Sequence, residues 1–334
     1  MIQGRTWVFA NPPSITASAA VGGPFEAKGP LADDFDLLHE DLWLGQDSYE
    51  KAEKKLLEQA SERAIDKAGM RKEDIQFFLA GDLMNQVISS NFAARTLAVP
   101  YLGLFGACSS SMESLALGSL LVDSGYAERV LVGTASHNAA AEKQFRYPTE
   151  YGSQKPPTAQ WTVTGAGAAV LTNREEGIRV TSATVGRVVD MGIQDPFNMG
   201  AAMAPAAVDT IEAHFRDLKN PEYDLILTGD LGKIGHTTAA DLLEKHGLKL
   251  PNDRFGDCGL MIYREDQPVQ AGASGCACSA CVTYGHVLNR MRKGELKKVL
   301  IVATGALLSP LSYQQNESIP CIAHAVALEG GVSS

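Results

Sequence analysis

The sequence contains no run approaching the ~18–20 consecutive apolar residues that a membrane-spanning helix requires. It also lacks a surplus of basic charge. Against 29 lysines and arginines stand 39 aspartates and glutamates, for a net charge of −10. No basic stripe is available to neutralise phosphates, so nucleic acid is disfavoured as a partner. Docking on anionic lipid by charge alone is disfavoured for the same reason. The start, Met1-Ile-Gln-Gly-Arg-Thr-Trp7, lacks the basic opening and apolar core of a secretory signal. The expectation is a chain made and kept in a reducing cytosol. Six cysteines in 334 residues do not make a disulfide framework at this length.

What is present is enough for one large or two medium domains, with an ordinary apolar fraction of 45%. Helical periodicity runs from Tyr49 to Ala68, where Ala52, Leu56, Ala60, Ala64 and Ala68 share one face. Further helices are predicted over Ser89–Leu97, Ser111–Ser124, Ala201–Leu218, Thr237–His246 and Ala277–Arg292. Strand-like runs lie between them, at Ile75–Ala80, Arg129–Thr134, Gly165–Leu171, Ile178–Thr184, Tyr223–Thr228, Lys298–Ala303 and Cys321–Leu328. Alternating strands and helices imply βαβ units and a largely parallel sheet. The stretch from His137 to Trp161 is polar, carries three prolines and has no periodicity. It reads as a long loop of the kind that serves as a lid, a binding loop or an interface.

An internal repeat is the more specific signal. Phe77-Phe-Leu-Ala-Gly-Asp-Leu83 resembles Leu225-Ile-Leu-Thr-Gly-Asp-Leu231, and Gly125–Ala135 resembles Gly294–Thr304. Gly106-Ala-Cys-Ser-Ser110 matches Gly275-Cys-Ala-Cys-Ser279, and Thr164–Leu171 matches Cys321–Leu328. The four matches occur in the same order in both halves. They imply two topologically similar α/β halves packed together, residues 1–174 and 175–334.

Cys108 occupies the most telling position. A short apolar run leads through Gly106-Ala107 into an amphipathic stretch. That pattern is strand, sharp turn, helix, with the cysteine at or beside the helix N-cap. Free N–H groups and the helix dipole favour a thiolate there, which makes a nucleophile or an anion-binding group. The alternative is a small buried cysteine in a tight turn.

A duplicated α/β chain with this cysteine turn resembles the thiolase and ketoacyl-synthase superfamily. Gly165-Ala-Gly-Ala-Ala-Val170, Ala271-Gly-Ala-Ser-Gly275 and Cys321-Ile-Ala323 are similar to further segments of that superfamily. A closer resemblance is to the stage V sporulation protein AD family of spore-forming bacteria. It is carried by Thr6-Trp-Val-Phe9, Phe78-Leu-Ala-Gly-Asp-Leu83, Phe105-Gly-Ala-Cys-Ser109, Gln144–Gly152, Ser182-Ala-Thr-Val-Gly-Arg187, Ala202-Met-Ala-Pro-Ala206 and Glu317–His324. The resemblance covers nearly the whole chain. It implies a thiolase-like α/β fold, with two pseudo-symmetric halves in α-β-α-β-α layers. It further implies a peripheral protein of the forespore or spore inner membrane that binds dipicolinic acid and its calcium chelate during uptake into the spore. Other proteins of the same operon, several of them membrane proteins, would be its partners. The superfamily implies a homodimer, and no cofactor is implied.

The catalytic set of such a fold is incomplete in this sequence. The position of the thiolase histidine falls on Val269, which transfers no proton. The ketosynthase histidine position falls on Gly229-Asp230; His236, six residues on, is the nearest histidine after it. The asparagine of those enzymes has no clear equivalent in Ala273-Ser-Gly275. A binding protein on an enzyme scaffold is therefore favoured. The alternative is an acyl-CoA-dependent acyltransferase using Cys108.

The candidate ligand-binding residues are Cys108, Asp82, His137, Arg146 and Asp230, with no catalytic or metal-ligating residue assigned. Asp82 and Asp230 end strands, where open α/β sheets place ligands. Asp82 is favoured because its half also holds Cys108; its alternative role is to cap the next segment. His137 follows a strand and suits a carboxylate partner or a loop anchor. Arg146, between Phe145 and Tyr147, suits a carboxylate or a packed loop, while Lys143, Lys155 and Arg187 are the other cations considered. Cys276, Cys278 and Cys281 form a C-x-C-x-x-C run without a clear fourth metal ligand. The repeat makes this run the pseudo-symmetric partner of the Cys108 turn.

Overall fold

The computed structural model describes residues 1–146 and 155–330. The first half contains β1 (Ser14–Gly22), α1 (Tyr49–Lys67), β2 (Phe77–Gly81), α2 (Ile88–Leu97), β3 (Tyr101–Gly103), α3 (Ser110–Asp123), β4 (Arg129–Ser136), α4 (Asn138–Arg146) and β5 (Gly165–Thr172). The second contains β6 (Ile178–Thr184), α5 (Met199–Asp217), β7 (Leu225–Thr228), α6 (Gly232–Lys245), β8 (Phe255–Asp257), α7 (Cys276–Cys281), β9 (Lys298–Ala306) and β10 (Cys321–Gly330). A π-helical stretch, Val282–Val287, and a last turn, Leu288–Arg292, continue α7.

The strands of the first half lie in the order β3-β2-β4-β5-β1, and those of the second in the order β8-β7-β9-β10-β6. Adding five to each label of the first order gives the second. Strand directions repeat as well. β2 runs parallel to β3 and β4, as β7 does to β8 and β9, while β4–β5 and β9–β10 are antiparallel. The halves join where β6 meets β1, with Ile178 opposite Ile15 and Arg179 opposite Ser14.

Strand residues alternate between apolar layers. In β9, Val299, Ile301 and Ala303 enter the central layer around α3 and α7, and Leu300 and Val302 enter the outer layer under α5 and α6. In β4, Val130 and Val132 face the centre, and Leu131 and Ala135 face α1 and α2. Three apolar layers separated by the two five-stranded halves of one hydrogen-bonded sheet give the α-β-α-β-α arrangement. The buried face of α1 is Ala52, Leu56, Ala60 and Ala64, and its first turn is capped by Ser48, whose hydroxyl accepts from the Lys51 N–H at 3.2 Å.

Three expectations need correction. The sheet is not largely parallel: along the strand orders above four neighbouring pairs are parallel and five antiparallel, because β1, β5, β6 and β10 meet their neighbours antiparallel. The stretch from His137 to Trp161 does not begin as a loop. Residues 138–146 form α4, since Asn-Ala-Ala-Ala-Glu-Lys-Gln is rich in good helix formers. Trp161 pairs in a short strand with Ala273. The sequence reading also left out β1 and β8, while β3 is the strand expected ahead of the Cys108 turn. β1 is buried on both faces and built of small residues, so it shows no alternation.

Candidate functional site

The chain between β3 and α3 closes a tight turn. The Ser109 and Ser110 N–H groups donate to the carbonyls of Gly106 and Ala107, each at 3.1 Å, and the Gly106 N–H donates to Ser110 Oγ at 2.8 Å. Ala107 has φ +50°, a left-handed conformation that a non-glycine residue adopts only when its surroundings impose it. The turn sets Cys108 one residue before the cap position of α3, half-buried and facing the seam between the halves. Gly305 of β9 packs against it. A Cβ on Gly305 would stand 2.2 Å from the Gly106 carbonyl oxygen, so only glycine lets the second-half strand approach this closely.

That approach brings in Asp230, which follows β7 and is 1% exposed. Its carboxyl accepts from the Thr304 hydroxyl at 2.6 Å and from the Gly275 N–H at 3.0 Å, and it lies beside the Cys108 thiol. Burial pushes its pKa up to about 7, the surrounding donors restrain the rise, and the nearby Asp257 carboxyl adds to it. Burial raises the Cys108 thiol well above the ordinary range, and the neighbouring Asp230 carboxyl pushes the same way. The outcome opposes the usual effect of a helix N-terminus, which favours thiolate. Cys108 stays a thiol.

Cys108 and Asp230 lie in the floor of a cavity of about 150 Å³. Among the described residues its walls are mainly apolar, with Phe105, Phe145, Phe197, Met203, Leu308 and Tyr313 prominent. Thr162 and Ser274 supply neutral polar groups, and the charged residues of the described lining are Glu142 and Asp230, both acidic.

The candidate residues separate in space. Cys108 and Asp230 come together in the cavity. Asp82 does not line it, which reverses the preference for Asp82 over Asp230. Its Oδ1 accepts from the Met84 N–H at 2.8 Å and its Oδ2 from the Ser90 N–H at 2.7 Å, so the carboxyl holds the turn into α2. Burial raises its pKa to about 6. His137 is also outside the lining. Its Nε2 lies 2.8 Å from the Leu42 carbonyl, which can only accept, so the proton sits on Nε2, and Nδ1 then accepts the Ala140 N–H at 3.4 Å. Burial lowers the pKa of this ring, which stacks on Tyr49 and anchors the chain at residue 42. The Arg146 side chain falls outside the described residues. Lys143 pairs with Glu50 at 2.7 Å, Lys155 with Glu142 at 2.7 Å and Arg187 with Asp209 at 2.8 Å, and none of the three lines the cavity.

The positions expected to lack catalytic partners can now be placed. Val269 is buried away from the cavity lining. His236 is not among the described lining residues, and its ring stacks on Phe255 at 4.6 Å. The thiols of Cys276, Cys278 and Cys281 are buried and donate to the carbonyls of Ala107, Gly229 and Val21. Among the described residues no group of three or more His, Cys, Asp or Glu side chains is placed to hold a metal ion. Sequence reasoning missed Thr304, which orients the Asp230 carboxyl, and Gln160, whose amide donates to the Asp230 and Ala273 carbonyls at 2.7 and 2.8 Å. It also missed the aromatic walls. These residues come from separate elements and leave no local pattern; the Thr304 repeat match to Ala135 was the one available signal.

Comparison with known proteins gives the family and the fold. The model of the stage V sporulation protein AD family matches residues 3–329. The chain is 52% identical over 333 residues to the stage V sporulation protein AD of Bacillus subtilis (strain 168), covering 98% of each chain. Among solved structures it is similar to the 3-oxoacyl-[acyl-carrier-protein] synthase III of Aquifex aeolicus VF5. That match has a TM-score of 0.61 at 14% identity, over 95% of this chain and 99% of that one. It is also similar to a single-residue variant of Xanthomonas campestris OleA, with a TM-score of 0.62 at 14% identity over 96% and 97% of the two chains. At such identities these structures speak for the fold alone. On the family model and the identity to its Bacillus relative, this chain belongs to the stage V sporulation protein AD family, built on the thiolase-like fold.

Proposed function

We propose that this is a non-catalytic binding protein of sporulation. In this reading it takes dipicolinic acid (pyridine-2,6-dicarboxylate) and its calcium chelate into the cavity at Cys108 and supports their uptake into the developing spore. The observation that carries the reading is the Asp230 carboxyl set against the Cys108 thiol. A condensing cysteine must ionise and needs a neighbour that transfers protons. Here a buried acid disfavours ionisation, and no histidine is among the described lining residues. A pocket kept while its nucleophile is silenced supports binding without reaction. The aromatic walls suit a flat ring. The calcium chelate carries no net charge, which suits a cavity whose described charged groups are acidic.

Membership in the family supports a role in sporulation. Among the described residues no helix is long and apolar enough to cross a membrane. We therefore propose peripheral attachment at the forespore or spore inner membrane through proteins of the same operon. A homodimer through the first-half sheet is part of the same proposal; β3 is an edge strand there, with Leu102 and Phe105 exposed beside it.

Titration calorimetry tests the reading. Dipicolinate, alone and with calcium, is expected to give saturable one-site heats that disappear in a Cys108→Phe variant, which fills the cavity floor. Absence of heat with both ligands sinks the proposal. The second reading, an acyl-transferring enzyme using Cys108, draws on the placement of that cysteine at the start of α3 behind a left-handed Ala107. It requires a mass increase of one acyl group after incubation with acyl-CoA.

A further inference from the structure

Asp230 is the one described acidic group in the cavity floor, and its arrangement has an unusual polarity. Its carboxyl oxygens accept from the Thr304 hydroxyl and from the Gly275 backbone N–H, and the Cys108 thiol lies beside them. When the carboxyl takes up a proton, the Gly275 N–H cannot accept it, and the Thr304 hydroxyl accepts it only by turning its own hydrogen elsewhere. The open direction is the cavity itself, which Asp230 lines. The donors of the neighbouring α6 turn are already satisfied, because Asp257 takes the Leu231 and Gly232 N–H groups at 2.8 and 3.0 Å and the Thr228 hydroxyl at 2.7 Å. Asp230 is thus freed from helix capping.

We propose that an anionic ligand enters this cavity together with one proton, held on Asp230 and donated in a hydrogen bond to a ligand carboxylate. The inference rests on the dipicolinate reading and names how an acidic cavity accepts a dianion. A bare carboxylate there would repel the ligand, and a protonated one is a hydrogen-bond donor. The titratable groups facing Asp230 do not supply this proton at neutral pH. Cys108, Cys258, Cys276, Cys278 and Cys321 are all held as thiols by burial. Asp257 is committed to the α6 turn, and Glu142, across the cavity, is paired with Lys155 at 2.7 Å. Ordinary ligand carboxylates titrate near pH ~4, well below the range in which burial leaves Asp230, whose pKa is about 7.

The sign follows from linkage. Above pH ~7 free Asp230 is ionised, so binding must take up a proton. Below pH ~7 it is already protonated, and uptake vanishes. The experiment is calcium-free titration of dipicolinate into the protein in two buffers of different ionisation enthalpy. Near one proton taken up per ligand is expected at about pH 8 and close to none at about pH 6. Affinity should be flat below pH ~7 and fall about tenfold per pH unit above it. Asp230→Asn, whose amide still donates, is expected to bind with no proton uptake and no break in the pH profile. Thr304→Val, which removes a donor to the carboxylate, should move the break to higher pH. Binding at about pH 8 with identical heats in both buffers overturns this inference and leaves the dipicolinate reading intact. A break that survives in Asp230→Asn assigns the proton elsewhere and also overturns it. No binding heat at any pH overturns the dipicolinate reading itself.

Discussion

The turns Gly81-Asp82-Leu83 and Gly229-Asp230-Leu231 occupy equivalent places in the two halves, each after the strand that lies second from its sheet edge. Their aspartates do different work. Asp82 spends both oxygens on backbone N–H groups at the entry to α2. In the second half that service comes from Asp257, which reaches across from β8 to the first N–H groups of α6. Asp230 is then released to face Cys108 and the cavity. One motif gives a structural cap in the first half and a cavity-lining carboxyl in the second, where a neighbouring strand supplies the cap. The difference lies in partners, since both carboxyls are buried and both have raised pKa values.

Replacing each aspartate by alanine puts the largest expected effect on this contrast. Asp82→Ala leaves two buried N–H groups unpaired and should cost roughly 2–4 kcal/mol in denaturant unfolding. Asp230→Ala leaves one buried N–H unpaired, that of Gly275, while the Thr304 hydroxyl can rotate to another acceptor. Its stability cost should be smaller, roughly 1–2 kcal/mol, with ligand binding strongly weakened. Equal stability losses with unchanged binding would break the comparison.

A smaller effect concerns Cys108. If the Asp230 carboxyl helps hold the thiol un-ionised, alkylation by iodoacetamide at about pH 8 should be slow in the parent. It should be faster in Asp230→Asn, by up to about tenfold for each unit of thiol pKa recovered. Asp82→Asn should leave the rate unchanged. Equal rates in the parent and both variants would mean that burial alone silences the cysteine.

The smallest effect belongs to Arg187, an exposed partner of Asp209 that the sequence offered as a counter-charge. Arg187→Ala should change stability by less than about 1 kcal/mol and leave dipicolinate titration unaltered. Loss of binding would shift the site away from the β7 turn.

Much of the fold was legible because the repeat pairs strands and helices in the same order, and ordered pairs constrain topology. Legibility failed where residues are small and buried on both faces, as in β1, and where helix formers hide among prolines, as in α4. Within the site, Cys108 stood out because a strand–turn–helix pattern is local. Asp82 and Asp230 could not be ranked that way, as identical tripeptide patterns surround them. His137 likewise read as a site residue because a strand end looks the same whether its ring meets a ligand or the Leu42 carbonyl.

The sequence by itself therefore determined the duplicated α/β plan, the turn that exposes Cys108 and the absence of histidine at the two expected catalytic positions. These are matters of periodicity, glycine placement and residue identity along the chain. Only the tertiary structure decided which aspartate meets the cysteine. That choice depends on Gly305 letting β9 approach the Cys108 turn, on Thr304 orienting the carboxyl and on Asp257 capping α6 from an adjacent strand. Hydrogen bonds between residues far apart in sequence have no local signature, because each partner could serve many acceptors until the sheets bring one within reach.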